Sequence, residues 1–147
     1  MQGATTRYNV VMKSRGFTLI ELLVVIAIIG LLASIVLASL STVQAKARDA
    51  RRMDDVGQLQ KALVMYNSNH GSYPIYTSTT TVEATSAVGA DLIADEIIPT
   101  APLDPTNPVR VYSYSSDATG GTYYLNFCLE TDSVRGYSQG CNNYIWP

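Results

Sequence analysis

The chain has 147 residues and a mass of 15.9 kDa, which is the usual length of one domain. Hydrophobic residues make up 47% of it and charged residues only 15%, whereas a typical soluble domain is ~25% charged. A net charge of -2 argues against a protein that coats nucleic acid, and a single histidine leaves little room for a histidine-based metal site or general base. Two cysteines are too few for a disulfide-rich mini-protein.

The hydrophobic residues are concentrated in one segment near the N-terminus. From Leu22 to Ala45 the chain contains no charged residue. A helix needs ~20 apolar residues to cross a ~30 Å hydrocarbon core, whereas a buried strand ends after ~4–8 residues. Because a domain of this size cannot surround such a helix on all sides, the segment is interpreted as membrane-spanning and not as a buried core helix.

The charges are divided unevenly between the two parts of the chain. Residues 1–61 contain eight Lys or Arg and four acids, whereas residues 62–147 contain two Arg and eight acids. Positive charge flanks both ends of the apolar segment, so the positive-inside count alone does not fix the orientation. The acidic C-terminal part argues against direct binding of nucleic acid.

The residues at the start of the apolar segment form a specific motif. In the sequence KSRGFTLIE a basic leader ends in Gly16, Phe17 follows, and Glu21 closes the motif. This motif resembles the type III signal of type IV prepilins and pseudopilins. The resemblance is strong over residues 13–37 and looser as far as Pro74, and it indicates a type IV pilin or a type II secretion pseudopilin.

The resemblance implies a defined processing step. A prepilin peptidase would cut between Gly16 and Phe17 on the cytoplasmic side of the membrane, and the new amine of Phe17 would be N-methylated. Residues 1–16 would then be a discarded basic leader. Translation from Met12 gives a short basic leader too, so both Met1 and Met12 remain possible starts, and the mature chain is the same for either.

Glu21 is an acid on a predicted membrane segment and therefore requires a partner. A carboxylate costs ~2.5–3.5 kcal/mol at the centre of a membrane helix and less near its end. Glu21 lies ~6 Å along the helix from the Phe17 amine, which is positive at neutral pH. The resemblance implies that Glu21 pairs with this amine in a neighbouring subunit. The alternative is a glutamate that reaches to the membrane interface by itself.

Small residues recur every four positions along the same predicted helix, at Gly30, Ser34, Ala38 and Thr42. Such a stripe lets membrane helices approach closely, so Gly30, Ser34 and Ala38 are predicted to belong to the assembly face; ordinary membrane-helix composition is the alternative. Many members of the family carry a proline where this chain has Ala38. Any loosening of this helix during assembly would have to begin elsewhere, for example at Gly30.

The helix is predicted to continue as an amphipathic helix beyond the membrane segment. An apolar stripe at helical spacing is formed by Met53, Val56, Leu59, Leu63 and Tyr66. The other faces are filled by Arg51, Arg52, Asp54, Asp55, Gln58 and Lys61. The helix should end near residues 69–71, with Gly71 as its C-terminal cap and Pro74 beyond it.

These features predict an α+β, pilin-like fold in which a long N-terminal helix packs on a small antiparallel sheet. Residues 17–40 form the hydrophobic transmembrane and assembly helix, and residues 41–70 continue it as the amphipathic helix. Residues 71–147 form a globular head. Within the head we predict a short helix over residues 90–98 and strands over residues 109–115 and 122–131.

The longer predicted strand alternates between two faces. Its apolar face holds Tyr123, Leu125, Phe127 and Leu129 and should pack on the helix stripe. The connection before it, residues 117–121, is typical of a hairpin.

Cys128 and Cys141 are predicted to form a disulfide, because the compartment beyond a membrane segment is oxidising. Closing a loop of this size contributes ~3 kcal/mol in the chain-entropy model. The resulting loop resembles the C-terminal region of type IV pilins; two free thiols are the alternative.

No cofactor is expected. Asp117, Glu130 and Asp132 could contribute to a calcium site like that of pseudopilin heads, although their spacing matches no known loop.

No catalytic residue is predicted, despite one suggestive pattern. Residues 136–140 read GYSQG, which fits the nucleophile elbow of α/β-hydrolases. That fold needs an acid and a histidine after the serine, and the residues that follow Ser138 contain neither. The pattern is therefore interpreted as a glycine-rich turn within the disulfide loop.

The leading functional hypothesis is a non-enzymatic subunit that polymerises through its N-terminal helix into a type IV pilus or a pseudopilus. Its partners would be other pilin subunits, prepilin peptidase, the inner-membrane assembly platform and membrane lipid. The protein would cross the cytoplasmic membrane once, with its head outside, before entering a filament.

Three alternatives remain open. They are a monomeric membrane-anchored binding module, a minor pilin for DNA uptake, and a secreted enzyme released at Ala47 by signal peptidase.

Overall fold

The computed structural model describes residues 16–147, apart from the side chain of Ala38, so the rest of the predicted leader lies outside the described residues. Within these residues, two helices, α1 (Leu19–His70) and α2 (Ala87–Ala94), accompany four strands, β1 (Thr80–Thr81), β2 (Ser113–Ser116), β3 (Tyr123–Leu129) and β4 (Gly140–Ile145). The strands form one antiparallel sheet in the order β1-β2-β3-β4. The predicted α+β fold class is confirmed.

The chain divides into two compact units, one ending at Ser39 and the other comprising residues 40–147. In the first unit the described side chains of α1 are all exposed, including the large apolar ones. Among the described residues, α1 contains a stretch that is long and apolar enough to cross a membrane.

The second unit, residues 40–147, contains the C-terminal part of α1 and the head. Val56, Leu59 and Leu63 are buried, and Met53 and Tyr66 are partly buried against the same core, so the predicted apolar stripe is confirmed. The helix ends at His70, as predicted, because Gly71 adopts a positive φ of 75° and donates its backbone N–H to Asn67 O at 2.7 Å.

The core of the head lies between α1 and the sheet. Tyr123, Leu125, Phe127 and Leu129 of β3 are buried and join the stripe of α1 in one apolar cluster. The alternation predicted for this strand is therefore correct. Asp117 closes the connection from β2, because its carboxylate accepts the backbone N–H groups of Thr119 and Gly121 at 3.0 and 2.9 Å.

Several predicted boundaries in the head are wrong. The strand expected over residues 109–115 begins only at Ser113, and Val109 is exposed directly after a cis Asn107–Pro108 bond. The short helix starts at Ala87 because the Ser86 hydroxyl accepts the Gly89 N–H, and it ends at Ala94.

Strands β1 and β4 were not predicted from the sequence. Both depend on pairing with another strand, since β1 pairs with β2 and β4 pairs with β3. The residues of β4 carry polar side chains on both faces, so periodicity alone gave no strand signal.

Two buried tyrosines of the core provide a matched test of hydrogen bonding. The Tyr114 hydroxyl donates to Pro74 O at 2.8 Å. The buried Tyr123 hydroxyl has no hydrogen-bond partner among the described residues, and the nearby Gln60 does not reach it in hydrogen-bond geometry. A buried polar group without a partner costs free energy, and removing one member of a buried pair leaves the other unsatisfied.

We therefore expect opposite outcomes when each of these tyrosines is replaced by phenylalanine. Tyr123→Phe should leave the free energy of unfolding unchanged or raise it by up to about 1 kcal/mol, whereas Tyr114→Phe should lower it by about 1–2 kcal/mol. Chemical denaturation of the full chain in detergent measures both values. A larger loss for Tyr123→Phe than for Tyr114→Phe would contradict this account.

Candidate functional site on the long helix

The first turn of α1 is closed by a reciprocal pair of hydrogen bonds between Thr18 and Glu21. The backbone N–H and the hydroxyl of Thr18 donate to Glu21 Oε2 at 2.8 and 2.7 Å, and the Glu21 N–H donates to Thr18 Oγ1 at 3.3 Å. This arrangement is a capping box, with Thr18 as the N-terminal cap. It explains why α1 begins at Leu19 and not at the predicted Phe17. The T-x-x-E signal was present in the sequence and was overlooked.

The capping box fixes the position of the predicted pairing residue. Glu21 lies in the first helical turn, where the helix dipole favours a negative charge. All hydrogen bonds of its side chain within the described residues fall on Oε2, and the side chain is exposed. The carboxylate is therefore held at the start of the helix and stays open to a partner from outside the chain.

An apolar groove runs beside this carboxylate on one face of α1. Phe17, Ile20, Glu21, Val24 and Val25 line a shallow cavity of about 370 Å³. Phe17 is 80% exposed and Ile20 70% exposed. Because this helix face is apolar and carries one acid, it is complementary to an apolar partner with a single positive charge.

The predicted small-residue stripe lies further along the same unit. The Ser34 hydroxyl donates to Gly30 O at 2.9 Å, so it is satisfied within the helix. A Cβ atom built on Gly30 would meet nothing within 4 Å, so the position is open toward the surroundings. Gly30 and Ser34 thus share a face of α1, while Ala38 lies outside the described side chains. The assembly role of all three stays a prediction.

A buried charge network in the second unit was missed by sequence analysis. Arg52, predicted to lie on a polar face, is fully buried. Its guanidinium donates to both oxygens of Asp104 at 2.7 and 2.9 Å, to Asp49 at 2.9 Å, and to Glu130 at 2.7 Å. The network therefore joins α1 to the proline-rich loop around Asp104 and to the end of β3.

Asp49 and Arg48 extend this network. Asp49 accepts the backbone N–H groups of Glu130 and Thr131, both at 2.8 Å, which caps the end of β3. Arg48 donates to both Glu130 oxygens at 2.8 and 2.5 Å. The prediction that Asp55 is a surface residue is also wrong, because Asp55 is buried and accepts the Tyr112 hydroxyl at 2.9 Å.

The network shifts the pKa values of Arg52, Glu130 and Asp104. Burial acts to lower the pKa of Arg52, but hydrogen bonds to Asp104, Glu130 and Asp49 outweigh it and raise the value. The hydrogen bond from Arg48, with further help from Arg52, holds the pKa of Glu130 at about 2 despite partial burial. Burial acts to raise the pKa of Asp104, but its hydrogen bonds from Arg52 and Thr106 lower it. All these groups are therefore charged at neutral pH.

The structure does not assemble the three carboxylates considered for calcium. Glu130 belongs to the Arg52 network, Asp117 closes the hairpin connection, and Asp132 accepts the Gln139 N–H at 2.6 Å. Within residues 16–147 no group of three His, Cys, Asp or Glu side chains could hold a metal ion.

Cys128 and Cys141 are bonded to each other and join β3 to β4. The loop that they enclose contains the GYSQG pattern, and Gly136 and Gly140 there both have positive φ values of 90° and 115°. The Ser138 backbone exchanges hydrogen bonds with the Asn143 side chain at 3.1 and 2.9 Å. The segment is thus a turn braced by Asn143.

The N-terminal geometry can be compared with known proteins. A family model described as the prokaryotic N-terminal methylation motif matches residues 11–37. This chain carries the N-terminal methylation motif. The motif covers the predicted cut between Gly16 and Phe17, together with Glu21 and Gly30.

Curated relatives also share this part of the chain. Type II secretion system core protein G of Escherichia coli K12 is 45% identical over 62 residues, which are 42% of this chain and 43% of the relative. The same protein of Vibrio cholerae is 40% identical over 62 residues, 42% of each chain. Type IV major pilin PilE of Neisseria gonorrhoeae is 34% identical over 74 residues, 50% of this chain and 44% of the relative.

The resemblance to type IV pilins and type II secretion pseudopilins is confirmed. The matches cover less than half the length of these relatives. No solved structure gives a significant match to the chain.

Proposed function

We propose that the protein is a structural subunit of a type IV pilus or a type II secretion pseudopilus, processed by prepilin peptidase and polymerised through α1. The observation that carries the proposal is the N-terminal methylation motif placed at the start of an exposed apolar helix. In this proposal residues 1–16 are the leader, residues 17–40 are the membrane and assembly segment, and residues 71–147 form the head behind the amphipathic segment 41–70.

The exposed apolar surface of the first unit supports this role. Its large side chains are 45–82% exposed from Phe17 to Leu37, and no described residue covers them. Apolar surface on this scale requires lipid or another apolar helix around it. A subunit that is stored in a membrane and later packed among identical helices meets this requirement in both states.

Glu21 supplies the specific element of the assembly. Its carboxylate is held in the first turn by Thr18 and lies beside an apolar groove. The amine produced by cleavage before Phe17 carries the complementary charge. Pairing of the two in neighbouring subunits neutralises both charges within the apolar bundle, which fixes the stagger between helices.

The location and further partners follow from the same proposal. The protein is inserted in the cytoplasmic membrane with its head outside the cytoplasm, contacts lipid and the inner-membrane assembly platform, and then enters the filament with other pilin subunits. No enzymatic role is assigned to it. A monomeric membrane-anchored binding module and a minor pilin for DNA uptake are the competing functions.

Mass spectrometry of the mature N-terminus tests the proposal. When the chain is expressed together with a prepilin peptidase, we expect an N-methylated Phe17 and a mature chain of 131 residues out of 147. Gly16→Val should retain the leader. Gly57→Ala is the matched control and should be processed normally, because a Cβ atom at Gly57 meets nothing within 4 Å. An intact leader in the unmodified chain, or a mature N-terminus at Arg48, would contradict the proposal.

A further inference from the structure

The C-terminal edge of the sheet contains a cavity that the proposed assembly does not use. It has a volume of about 680 Å³, and its lining residues include Arg135, Tyr137, Ser138, Asn142, Tyr144 and Trp146. This volume lies within the ~300–1,000 Å³ typical of small-molecule sites. The site combines three aromatic rings with hydroxyl, amide and guanidinium groups.

The side chains of these six residues are unpaired in the described part of the chain, whereas that of Asn143, which also lines the cavity, is hydrogen-bonded. Within residues 16–147, no hydrogen bond or ion pair involves the side chains of these six residues, so their donors and acceptors are available to a ligand. By contrast, the backbone that carries these side chains is fixed by hydrogen bonds and by a disulfide. Asn143 is buried and donates to Ser138 O and Gly140 O at 2.9 and 3.0 Å, and the Cys128–Cys141 disulfide closes the loop.

The aromatic residues continue from the cavity across the outer face of the sheet, which is the face opposite the core. Tyr144 of β4 is paired with Asn126 of β3, so Tyr124, two residues before Asn126, lies on the same face. Tyr124, Tyr144 and Trp146 are 51%, 46% and 63% exposed. Tyr144 also lines a second cavity of about 250 Å³ together with Tyr124 and Asn126. The two cavities therefore share Tyr144 as a common wall.

The geometry points to a binding site for a neutral saccharide chain along this face. A sugar ring presents C–H faces that pack on aromatic rings and hydroxyl groups that both donate and accept hydrogen bonds. Among the residues that the structure describes, Arg135 is the only charged one that lines the two cavities. Residues 62–147 carry eight acids against two Arg, which disfavours a polyanion such as single-stranded nucleic acid.

The single tryptophan of the chain makes this proposal directly measurable. Because Trp146 lines the cavity and no other tryptophan is present, its fluorescence reports occupancy of this site. The full chain, held in a detergent without a sugar head group, is titrated with cellohexaose and with chitohexaose. We expect a saturable change in fluorescence with at least one of them, and none with an oligothymidylate. Calorimetry of the same samples gives the affinity independently.

Substitutions then locate the site. Tyr144→Ala should weaken saccharide binding about tenfold, since it removes one aromatic contact and leaves a half-exposed position. Arg135→Ala should weaken it as well. Arg51→Ala is the matched control, because Arg51 is an exposed arginine on α1 and should leave the affinity unchanged. Circular dichroism confirms that each variant is folded.

Three results would overturn the proposal. They are the absence of binding of both oligosaccharides up to about 10 mM, a range that still detects weak sites; an affinity that Tyr144→Ala leaves unchanged; and binding of the oligothymidylate in preference to the sugars. None of these outcomes depends on processing or filament formation, so the saccharide site and the assembly role are tested independently of each other.

Discussion

Replacing Arg52 with methionine is expected to lower the free energy of unfolding of the head by about 3–5 kcal/mol. The Arg52 side chain is fully buried and neutralises Asp49, Asp104 and Glu130, whose side chains are 0%, 1% and 14% exposed. Methionine fills much of the same volume but leaves these carboxylates without their common donor. A loss of this size is a large fraction of the ~5–15 kcal/mol that stabilises a typical domain.

Arg51 provides a matched control for this experiment, since it is the preceding residue of the same helix. Its side chain is 66% exposed and lies 4.0 Å from Asp55, so Arg51→Met should change the free energy of unfolding by no more than about 0.5 kcal/mol. Urea denaturation of both variants, followed by circular dichroism in detergent, makes the comparison. If Arg52→Met lost no more stability than Arg51→Met, the network would have no structural importance.

The same network gives the head a defined sensitivity to acid. The pKa of Glu130 is about 2 in the folded head against an ordinary value of 4.5, so the unfolded chain binds this proton more readily. The stabilisation is therefore present above about pH 4.5 and is lost as the pH falls toward 2. The lowered pKa of Asp104 acts in the same direction. Burial raises the pKa of Asp55, and this shift offsets part of the loss.

We expect the free energy of unfolding to fall between about pH 4.5 and 2, and to fall less steeply in Arg48→Met. Arg48 supplies the largest single contribution to the lowered pKa of Glu130, so the value moves back toward its ordinary range without it. Denaturation curves across this pH range give the slope. A steeper fall in Arg48→Met than in the unmodified chain would refute the assignment.

Replacing Glu21 with glutamine should abolish filament formation while leaving processing intact. Glutamine is also favourable at the N3 position of a capping box, which Glu21 occupies, so the first turn of α1 is retained. The substitution therefore removes the negative charge and little else. Without this charge, the methylated Phe17 amine of a neighbouring subunit would lie unpaired among apolar helices, which is strongly unfavourable. Electron microscopy of sheared filaments and mass spectrometry of the N-terminus give the two readouts.

Thr18→Ala is the complementary variant for this test. It removes the hydroxyl that bonds to Glu21 and weakens the cap by about 1 kcal/mol, but it keeps the carboxylate. Filaments should still form, because the charge pair does not involve the hydroxyl. Filaments of normal abundance in Glu21→Gln, or their loss in Thr18→Ala alone, would show that the cap and not the charge matters for assembly.

Features of this protein that depend on neighbouring residues were determined by the sequence alone. The apolar run, the stripe through Val56 and Leu59, and the end of α1 at Gly71 follow from helical periodicity and capping, which act over a few residues. The alternation of β3 follows in the same way from the period of an extended strand. The N-terminal methylation motif is equally local, since its meaning lies in the order of adjacent residues.

The tertiary structure alone decided the features that depend on distant partners. Arg52 looks like a surface residue until Asp104, 52 positions away, and Glu130, 78 positions away, are brought against it. Strand β4 has no apolar period of its own and exists because β3 and the disulfide hold it in place. Burial of a charge and pairing of a polar strand are energetically acceptable only once such partners are present, and their identity is set by the folded chain.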